Sequence, residues 1–445
     1  MDDDDFDESK KTLKQTFRDL LSANSVMNEL AIDLYYHAFL GAKFKEIVIA
    51  SGVSDMDLRI NLTWLQNSRS GKGRVNKVFK KICDACDIKC DIITSYSVAG
   101  IIGTINEEAV KHNDKYASEG LCQSNPVIIV KDKNGNDKKV FWHDPVIRGD
   151  AGNYDILIFD EMKILLEPTN ENQDIMLNLQ PALDYPPHIR KKLRHAYPVE
   201  YSNPVTLIGT TYPFDSIAKI LGTEGYIQRT VMLVRNLNIY QINQMRLAQE
   251  ALFEKNLQEQ FNDKLKIFKD MLIRINATPR RLYLTPDARL ELRKIREWFS
   301  KHIENSAGGT REMLLSFTNT IEEATMKIAG QYVVVIGVYN EIGATEIKKS
   351  WMLLCPVIES LIENVRVRDT KEETTERDKV LKTFENACKK QHKDKLNLTE
   401  STEVARVVIG LSRVDRENLI KKLATDGFLK MEKGEKKEYL YSIKK

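Results

Sequence analysis

No apolar run in the sequence approaches the ~20 residues of a membrane-spanning helix, so a helical transmembrane protein is excluded. There is no large excess of one charge. The 67 Lys and Arg against 64 Asp and Glu leave a net charge of +3, so any nucleic-acid surface must be local rather than global. Paired metal-ligand motifs are missing as well. Cys83, Cys86 and Cys90 lie close together, but no second Cys or His pair at zinc-ligand spacing follows. Their spacing places them on one helix face with Val78, Phe79 and Ile82. They are therefore expected to be buried thiols in a reducing compartment. The start lacks the basic and apolar regions of a targeting peptide. Met1-Asp2-Asp3-Asp4-Asp5 reads as a solvated acidic tail, and the cytoplasm of a prokaryotic host or of a virus-infected cell is the expected location.

What is present suits a soluble globular chain of two or three domains: 445 residues, 42% hydrophobic and 29% charged. Ile156-Leu157-Ile158-Phe159-Asp160-Glu161 runs from four apolar residues into two acids. Such a run predicts a strand buried on both faces of a parallel sheet. Its acids then lie at the carboxyl edge, where open α/β folds bind ligands. Asp160 there is a candidate Mg²⁺ ligand and Glu161 a candidate water-polarising base; the bland alternative is a surface strand end.

Upstream, Ile60-Asn61-Leu62-Thr63-Trp64-Leu65 predicts a strand and the stretch from Val75 through Val78, Phe79 and Ile82 a helix. Between them lies Gln66-Asn67-Ser68-Arg69-Ser70-Gly71-Lys72-Gly73. Strand, Gly-Lys turn and helix form the arrangement of a phosphate cradle, in which backbone N–H groups face the anion and the lysine reaches the β/γ-phosphates. The match to G-x-x-x-x-G-K-[S/T] is incomplete. Gln66 replaces the first Gly, and Gly73 stands where a hydroxyl would hold Mg²⁺.

The rest of the chain reads as follows. Residues 13–42 form a small helical element, 91–94 a second strand, and 95–105 a turn and helix. Apolar runs flank Asn134-Gly135, which predicts a hairpin carrying Lys131, Lys133, Lys138 and Lys139. A helix follows over 174–183. The stretch after it is basic, with His188, Arg190, Lys191, Lys192, Arg194 and His195, and its prolines exclude a continuous helix. Val205 to Thr211 is a buried strand ending in hydroxyls beside the Asp160 strand, and Thr230 to Val234 is the last strand. Residues 239–275 predict a long helical link between domains. An all-helical lid follows, with Thr285-Pro286 as a helix start. Residues 366–380 are charge-dense without apolar periodicity and read as a linker or exposed helix start. From 381 on, three helices and a basic hairpin around Gly434 predict a winged helix-turn-helix, a module that binds either DNA or protein.

Taken in order, these elements resemble the motor core of the minichromosome maintenance (MCM) helicases and their viral and plasmid relatives, within the AAA+ ATPases. The resemblance covers roughly residues 45–365, with the winged helix also in the family's order. Ser68, Arg69, Ser70, Gly71, Lys72 and Gly73 match its Walker A loop. Ser95 to Ile101 resembles the segment after its second strand, and the Asn134-Gly135 hairpin its helix-2 insert. Ile158-Phe159-Asp160-Glu161-Met162 resembles Walker B, and His188 to His195 takes the place of the pre-sensor hairpin. Gly209-Thr210-Thr211-Tyr212-Pro213 resembles sensor 1, Gly225 to Arg229 the arginine-finger segment, and Gly309-Thr310-Arg311 the start of the sensor 2 helix.

The resemblance implies an α/β fold: an AAA+ P-loop NTPase core with hairpin inserts, a helical lid and a C-terminal winged helix. Its domains would be 1–44 (tail and helices), 45–238 (core), 239–365 (linker helix and lid), 366–380 (linker) and 381–445 (winged helix). It implies a hexameric DNA helicase using ATP and Mg²⁺. Asp160 would hold the metal, with Glu161, Arg229, Arg311 and Thr210 catalytic. Lys133, Lys138, Lys139, Arg190, Lys191, Lys192 and Arg194 would grip single-stranded and forked DNA, and primase or other replication proteins would be partners. The sensor 1 Asn is replaced by Thr210 or Thr211. Arg229 is read either as a trans-acting finger or as a structural ion pair, with Arg235 as its rival. A replication initiator or loader that uses nucleotide as a switch, and a silent scaffold, are the other readings.

Overall fold

The computed structural model describes residues 13–21, 29–50, 52, 54–67, 71–94, 96–132, 135–163, 165, 169–192, 198–212, 225–250, 257–306, 308–337, 339–391, 393–407, 413–433 and 439–443. The chain divides into two compact units, 1–307 with 311–362, and 308–310 with 363–445. Among the described residues no helix is long and apolar enough to cross a membrane.

The first unit is built on a five-stranded, all-parallel sheet. Its strands are β1 (Leu62–Gln66), β2 (Cys90–Ile93), β3 (Ile156–Phe159), β4 (Thr206–Thr211) and β5 (Val231–Arg235). Their spatial order is β5-β1-β4-β3-β2. This is an α/β protein, and its all-parallel sheet is consistent with a Rossmann-like or P-loop-like core. The apolar runs are strands for the reason the sequence suggests. All residues of β1, β3 and β4 are buried, as sheets covered on both faces require. Three helices matter for the site: α1 (Glu29–Lys43), α2 (Lys72–Ala85) and α3 (Asn170–Leu183). In α2 the apolar face of Val75, Phe79, Ile82 and Cys83 is buried. Burying a side chain such as Phe79 is worth roughly 1.5–3 kcal/mol.

A buried ion pair closes the amino-terminal edge of the sheet. Arg59 pairs with Asp57 and donates to the carbonyls of Ala182 (3.0 Å), Val205 (2.7 Å) and Asp184 (2.9 Å). It thereby ties the end of α3 to the start of β4. Removing one partner would strand a buried charge, at a cost of roughly 3–5 kcal/mol.

Several elements differ from the sequence reading. Cys83, Cys86 and Cys90 are all buried, but only Cys83 lies on α2; Cys90 opens β2, and their thiols meet from two elements. Within 95–105 the helix is one turn, Val98–Ile101, and Gly103–Ile105 is a strand paired with Val146–Arg148. Gly103 permits it: its φ is +120°, and an added Cβ would lie 2.6 Å from the Ile147 carbonyl oxygen. The helix Leu257–Ile273 is not a link between domains. Phe268 is buried against Phe17 and Phe39, with ring centroids 5.6 and 5.5 Å apart, because its apolar stripe finds the N-terminal helices. The region after 239 is not all helical. Arg281–Leu284 joins a small four-stranded sheet with Val48–Ile49, Met56–Asp57 and Glu341–Ile342. Residues 366–380 lie inside one helix, Ala344–Gln391. Glu, Lys and Arg are good helix formers, so charge density did not forbid it.

The second unit holds the end of that helix, the helices Leu398–Val404 and Arg413–Thr425, and a three-stranded antiparallel sheet. Its core is Val380, Phe384, Leu396, Val404, Ile420, Leu423, Leu429 and Tyr441. Asn397 and Glu400 form a capping box at the middle helix, and Gly427 (φ +81°) follows the last one. Ser412 and Gly434 lie outside the described residues.

Candidate functional site

The carboxyl edge of the sheet gathers the residues singled out by chemistry. β1 ends at Gln66, and Gly71 caps α2 with φ +83°. That left-handed conformation costs a glycine little, and it turns the chain straight into the helix. Lys72 opens α2 and folds back over its own loop. Its Nζ donates to the carbonyls of Gln66 and Asn67, the latter at 2.9 Å. The Tyr212 ring lies over it at 4.9 Å. Burial pushes the Lys72 ammonium down to about 8, and Asp160 offsets part of that fall. Ser68, Arg69 and Ser70 lie outside the described residues.

β4 stands between β1 and β3. It brings Thr210 level with Trp64 on one side and next to Asp160 on the other. Thr210 Oγ1 donates to Asp160 Oδ1 at 3.0 Å. From the helix side, Asn76 Nδ2 donates to the same oxygen at 2.8 Å. Asp160 Oδ2 is directed at Gly73, where an added Cβ would sit 3.4 Å away. Lysine, carboxylate and the first turn of a helix therefore meet at one edge.

Glu161 is exposed and has φ +128°. A non-glycine residue held there is in a sparsely populated region, and such residues concentrate at functional sites. The next turn is held by the Glu161 and Met162 N–H groups, which donate to the Thr210 carbonyl at 3.2 and 3.0 Å. Beside it, Tyr96 stacks on Phe159 with centroids 5.6 Å apart. Its buried hydroxyl has no hydrogen-bond partner among the described residues.

The donor set fits Mg²⁺. Among the described residues no group of three or more His, Cys, Asp or Glu could cage a metal. Mg²⁺ does not need one, since it is bound through one or two carboxylates with substrate phosphates and water. Asp160 Oδ2, turned toward Gly73, would supply the carboxylate oxygen.

Arg229 lies elsewhere. It lies two residues before β5, whose first residue Val231 pairs with Leu62 at the amino-terminal end of β1. Leu62 and Gln66 are four steps apart along the strand, on the order of 13 Å at ~3.3 Å per residue. Arg229 does not reach Lys72 of its own chain. It forms a two-pronged pair with Asp184 (2.7 and 2.8 Å) and donates to the Gly225 carbonyl (2.7 Å). Both residues line a cleft of about 520 Å³ with Asn61, Gln228 and Lys327. Arg235, its rival, is at the carboxyl edge, level with Gln66. Arg311 is exposed near the start of the helix Gly308–Ile336.

The first basic hairpin is formed by Val127–Lys131 and Asp137–Phe141. Ile128 and Val140 hold it to Leu121, while Lys138 and Lys139 are exposed. The second pairs Ile189–Lys192 with Pro198–Tyr201. There Arg190 faces Glu200 at 3.9 Å, which offsets part of the basic charge. Lys191 and Lys192 belong to its first strand; Lys133 and Arg194 lie outside the described residues.

Sequence reasoning missed Asn76 and Tyr96. Asn76 had a signal: four residues after Lys72, it falls on the same helix face as Phe79 and Cys83, and a polar residue on an apolar face asks for a partner. Tyr96 had none. No family model and no curated protein matches the chain.

Proposed function

We propose that the chain is a ring-forming ATPase of the AAA+ class, similar to the MCM helicases, that hydrolyses ATP between copies of itself and translocates on single-stranded DNA to unwind duplex during replication. The observation that carries this reading is the meeting of Lys72, Thr210 and Asp160 at one sheet edge, with β4 between the loop strand and the acidic strand.

Residues 68–73 cradle the phosphates, and Lys72 binds the terminal ones. Asp160 holds Mg²⁺, which when bound neutralises charge on the phosphates. Glu161 orients the attacking water. Arg229 acts on the nucleotide of a neighbouring copy, a role its distance from its own Lys72 supports, and Arg311 makes a second phosphate contact. The hairpins carrying Lys138, Lys139 and Arg190 grip the DNA backbone. The segment 381–445 adds sixteen Lys and Arg against ten Asp and Glu, a basic module in a chain of net charge only +3.

The test is ATP turnover with and without single-stranded DNA. Stimulated turnover abolished by Glu161→Gln, followed by unwinding of a tailed fork, supports the motor. Two observations favour a second reading, a nucleotide-switched initiator or loader: the loop hydroxyl is missing at Gly73, and Arg229 is paired with Asp184. Nucleotide binding without turnover supports that reading, and neither binding nor turnover refutes both.

A further inference from the structure

We propose that Asn76, oriented by Tyr35, is a positioning residue that aims the Asp160 carboxylate at the metal and so replaces the hydroxyl missing from the loop. This rests on the nucleotide reading of the Lys72 loop.

The arrangement is a chain of hydrogen bonds through the interior. Tyr35, on α1, donates its hydroxyl to Asn76 Oδ1 at 2.5 Å. Asn76 Nδ2 donates to Asp160 Oδ1 at 2.8 Å, and Thr210 Oγ1 reaches the same oxygen at 3.0 Å. Both donors fall on Oδ1, which leaves Oδ2 turned toward Gly73. In a loop ending in Lys-Ser or Lys-Thr, a hydroxyl at position 73 would hold the metal beside that oxygen. Here the carboxylate is fixed from behind instead.

Tyr35 decides which way the amide points. An asparagine amide offers one acceptor and one donor end. Because the tyrosine donates, the oxygen must face Tyr35 and the NH₂ must face Asp160. Turned over, the amide oxygen would oppose a carboxylate. The Tyr35 ring cannot swing away, because it is wedged edge-on between Trp64 and Phe79, with centroids 5.9 and 5.0 Å distant. Burial raises its phenol far above the ordinary value, so it remains a donor throughout the working pH range. Asn76 is itself fully buried, and a buried amide in an apolar helix face is costly unless its bonds are used. The N-terminal helix α1 is thereby part of the site.

The test separates metal from nucleotide. A fluorescent ATP analogue is bound to the full chain in EDTA and then at increasing Mg²⁺, for wild type, Tyr35→Phe, Asn76→Ala and the double variant. Outer groups that orient a metal ligand typically change metal affinity ~10–100-fold. The expected result is metal-free binding within about twofold of wild type, with the half-saturating Mg²⁺ raised roughly tenfold in each single variant. The double variant should be no worse than Asn76→Ala, since the residues act in series. Tyr35→Phe keeps the ring and its packing, so it carries the test if Asn76→Ala does not fold. A Mg²⁺ requirement unchanged in Tyr35→Phe overturns the proposal, as does a parallel loss of metal-free and Mg²⁺-dependent binding. If wild type shows no Mg²⁺-dependent binding, or Lys72→Ala leaves it unaltered, the nucleotide reading itself fails and the proposal falls with it.

Discussion

Gly73→Ser should strengthen this site, and the size of the gain can be worked out. Gly73 is the second residue of α2, and its backbone is compatible with any side chain, since only Gly71 in this turn has positive φ. A Cβ added there meets Asp160 Oδ2 at 3.4 Å and Oδ1 at 3.9 Å, ordinary contact distances. Helix propensity alone favours Ser over Gly by about 0.5 kcal/mol. A hydroxyl donating to the carboxylate adds about 1.5 kcal/mol, the lower end for a bond to a charged group. The sum, ~2 kcal/mol, should raise the melting temperature by roughly 2–4 °C in a unit of this size, given ~2 cal/mol/K of unfolding entropy per residue. The same oxygen can also serve as a Mg²⁺ ligand, and a tenfold gain in Mg²⁺-nucleotide affinity corresponds to about 1.4 kcal/mol. Gly73→Ala is the control, with about 1 kcal/mol of helix propensity and no hydroxyl. Calorimetric melting and Mg²⁺ titration of nucleotide binding read the two effects separately. If Ser and Ala variants show the same Mg²⁺ dependence, Gly73 does not occupy the metal-ligand position, and the placement of Asp160 as the metal acid is refuted.

Lys72 gives a pH prediction. Its ammonium titrates near 8 in the free protein, and only the charged form binds phosphate. Nucleotide affinity should therefore fall as pH rises through about 8, with net proton uptake on binding; calorimetry in buffers of different ionisation enthalpy measures it, and Lys72→Arg should abolish it. The stability sign follows from the same shift: between about 8 and the ordinary 10.5 the unfolded chain holds more protons at this group, so its contribution to stability rises with pH there. Arg229→Ala should leave nucleotide binding intact and stop turnover, while mixing it with Lys72→Ala subunits should restore part of the activity; no recovery on mixing would refute action in trans. Lys138→Ala and Lys139→Ala should each weaken single-strand binding and lower the slope of log affinity against log salt by about 0.7; an unchanged slope would remove that hairpin from the DNA surface.

How much of this could be read from the sequence depends on whether the signal was local. Ile156–Phe159 and Thr206–Thr211 announce themselves because strands buried on both faces admit almost nothing but apolar and small residues. The hairpin of Val127–Lys131 and Asp137–Phe141 and the Thr285 cap with its Pro286 are equally local, since each joins residues close together in the chain. The small sheet was illegible. Its two-residue strands at Val48–Ile49 and Glu341–Ile342 have no periodicity, and they pair through Arg281–Leu284 from the far end of the unit. The long helix through 366–380 was misread because apolar periodicity reports packing rather than helicity. At the site, Lys72 and Asp160 were legible as end-of-strand chemistry. The Tyr35–Asn76 bond was not, because it joins residues forty-one apart that only the fold brings together.

On the nucleotide reading, the sheet order explains how one lysine and one acid would serve the same phosphate. Neighbouring strands lie about 4.8 Å apart, so β1 and β3, with β4 between them, are separated by on the order of 10 Å. A nucleotide at the end of β1 alone would be out of reach of Asp160. Two features close the gap. The helix α2 leaves β1 and crosses over β4, so that Gly73 and Asn76 come down on Asp160, before the chain continues into β2 at the opposite edge. The strand β4 then fills the floor beneath with Thr210, whose hydroxyl bonds to the acid. An apolar residue at 210 would leave Asp160 Oδ1 with the Asn76 amide as its donor. Thr210→Val is therefore the sharper substitution. It keeps the volume and removes the hydroxyl, and it should raise the Mg²⁺ requirement as Tyr35→Phe does while lowering stability by about 1–3 kcal/mol through the lost bond to a half-buried carboxylate. An unaltered Mg²⁺ titration in Thr210→Val would mean that Asp160 is not held from the floor of the site.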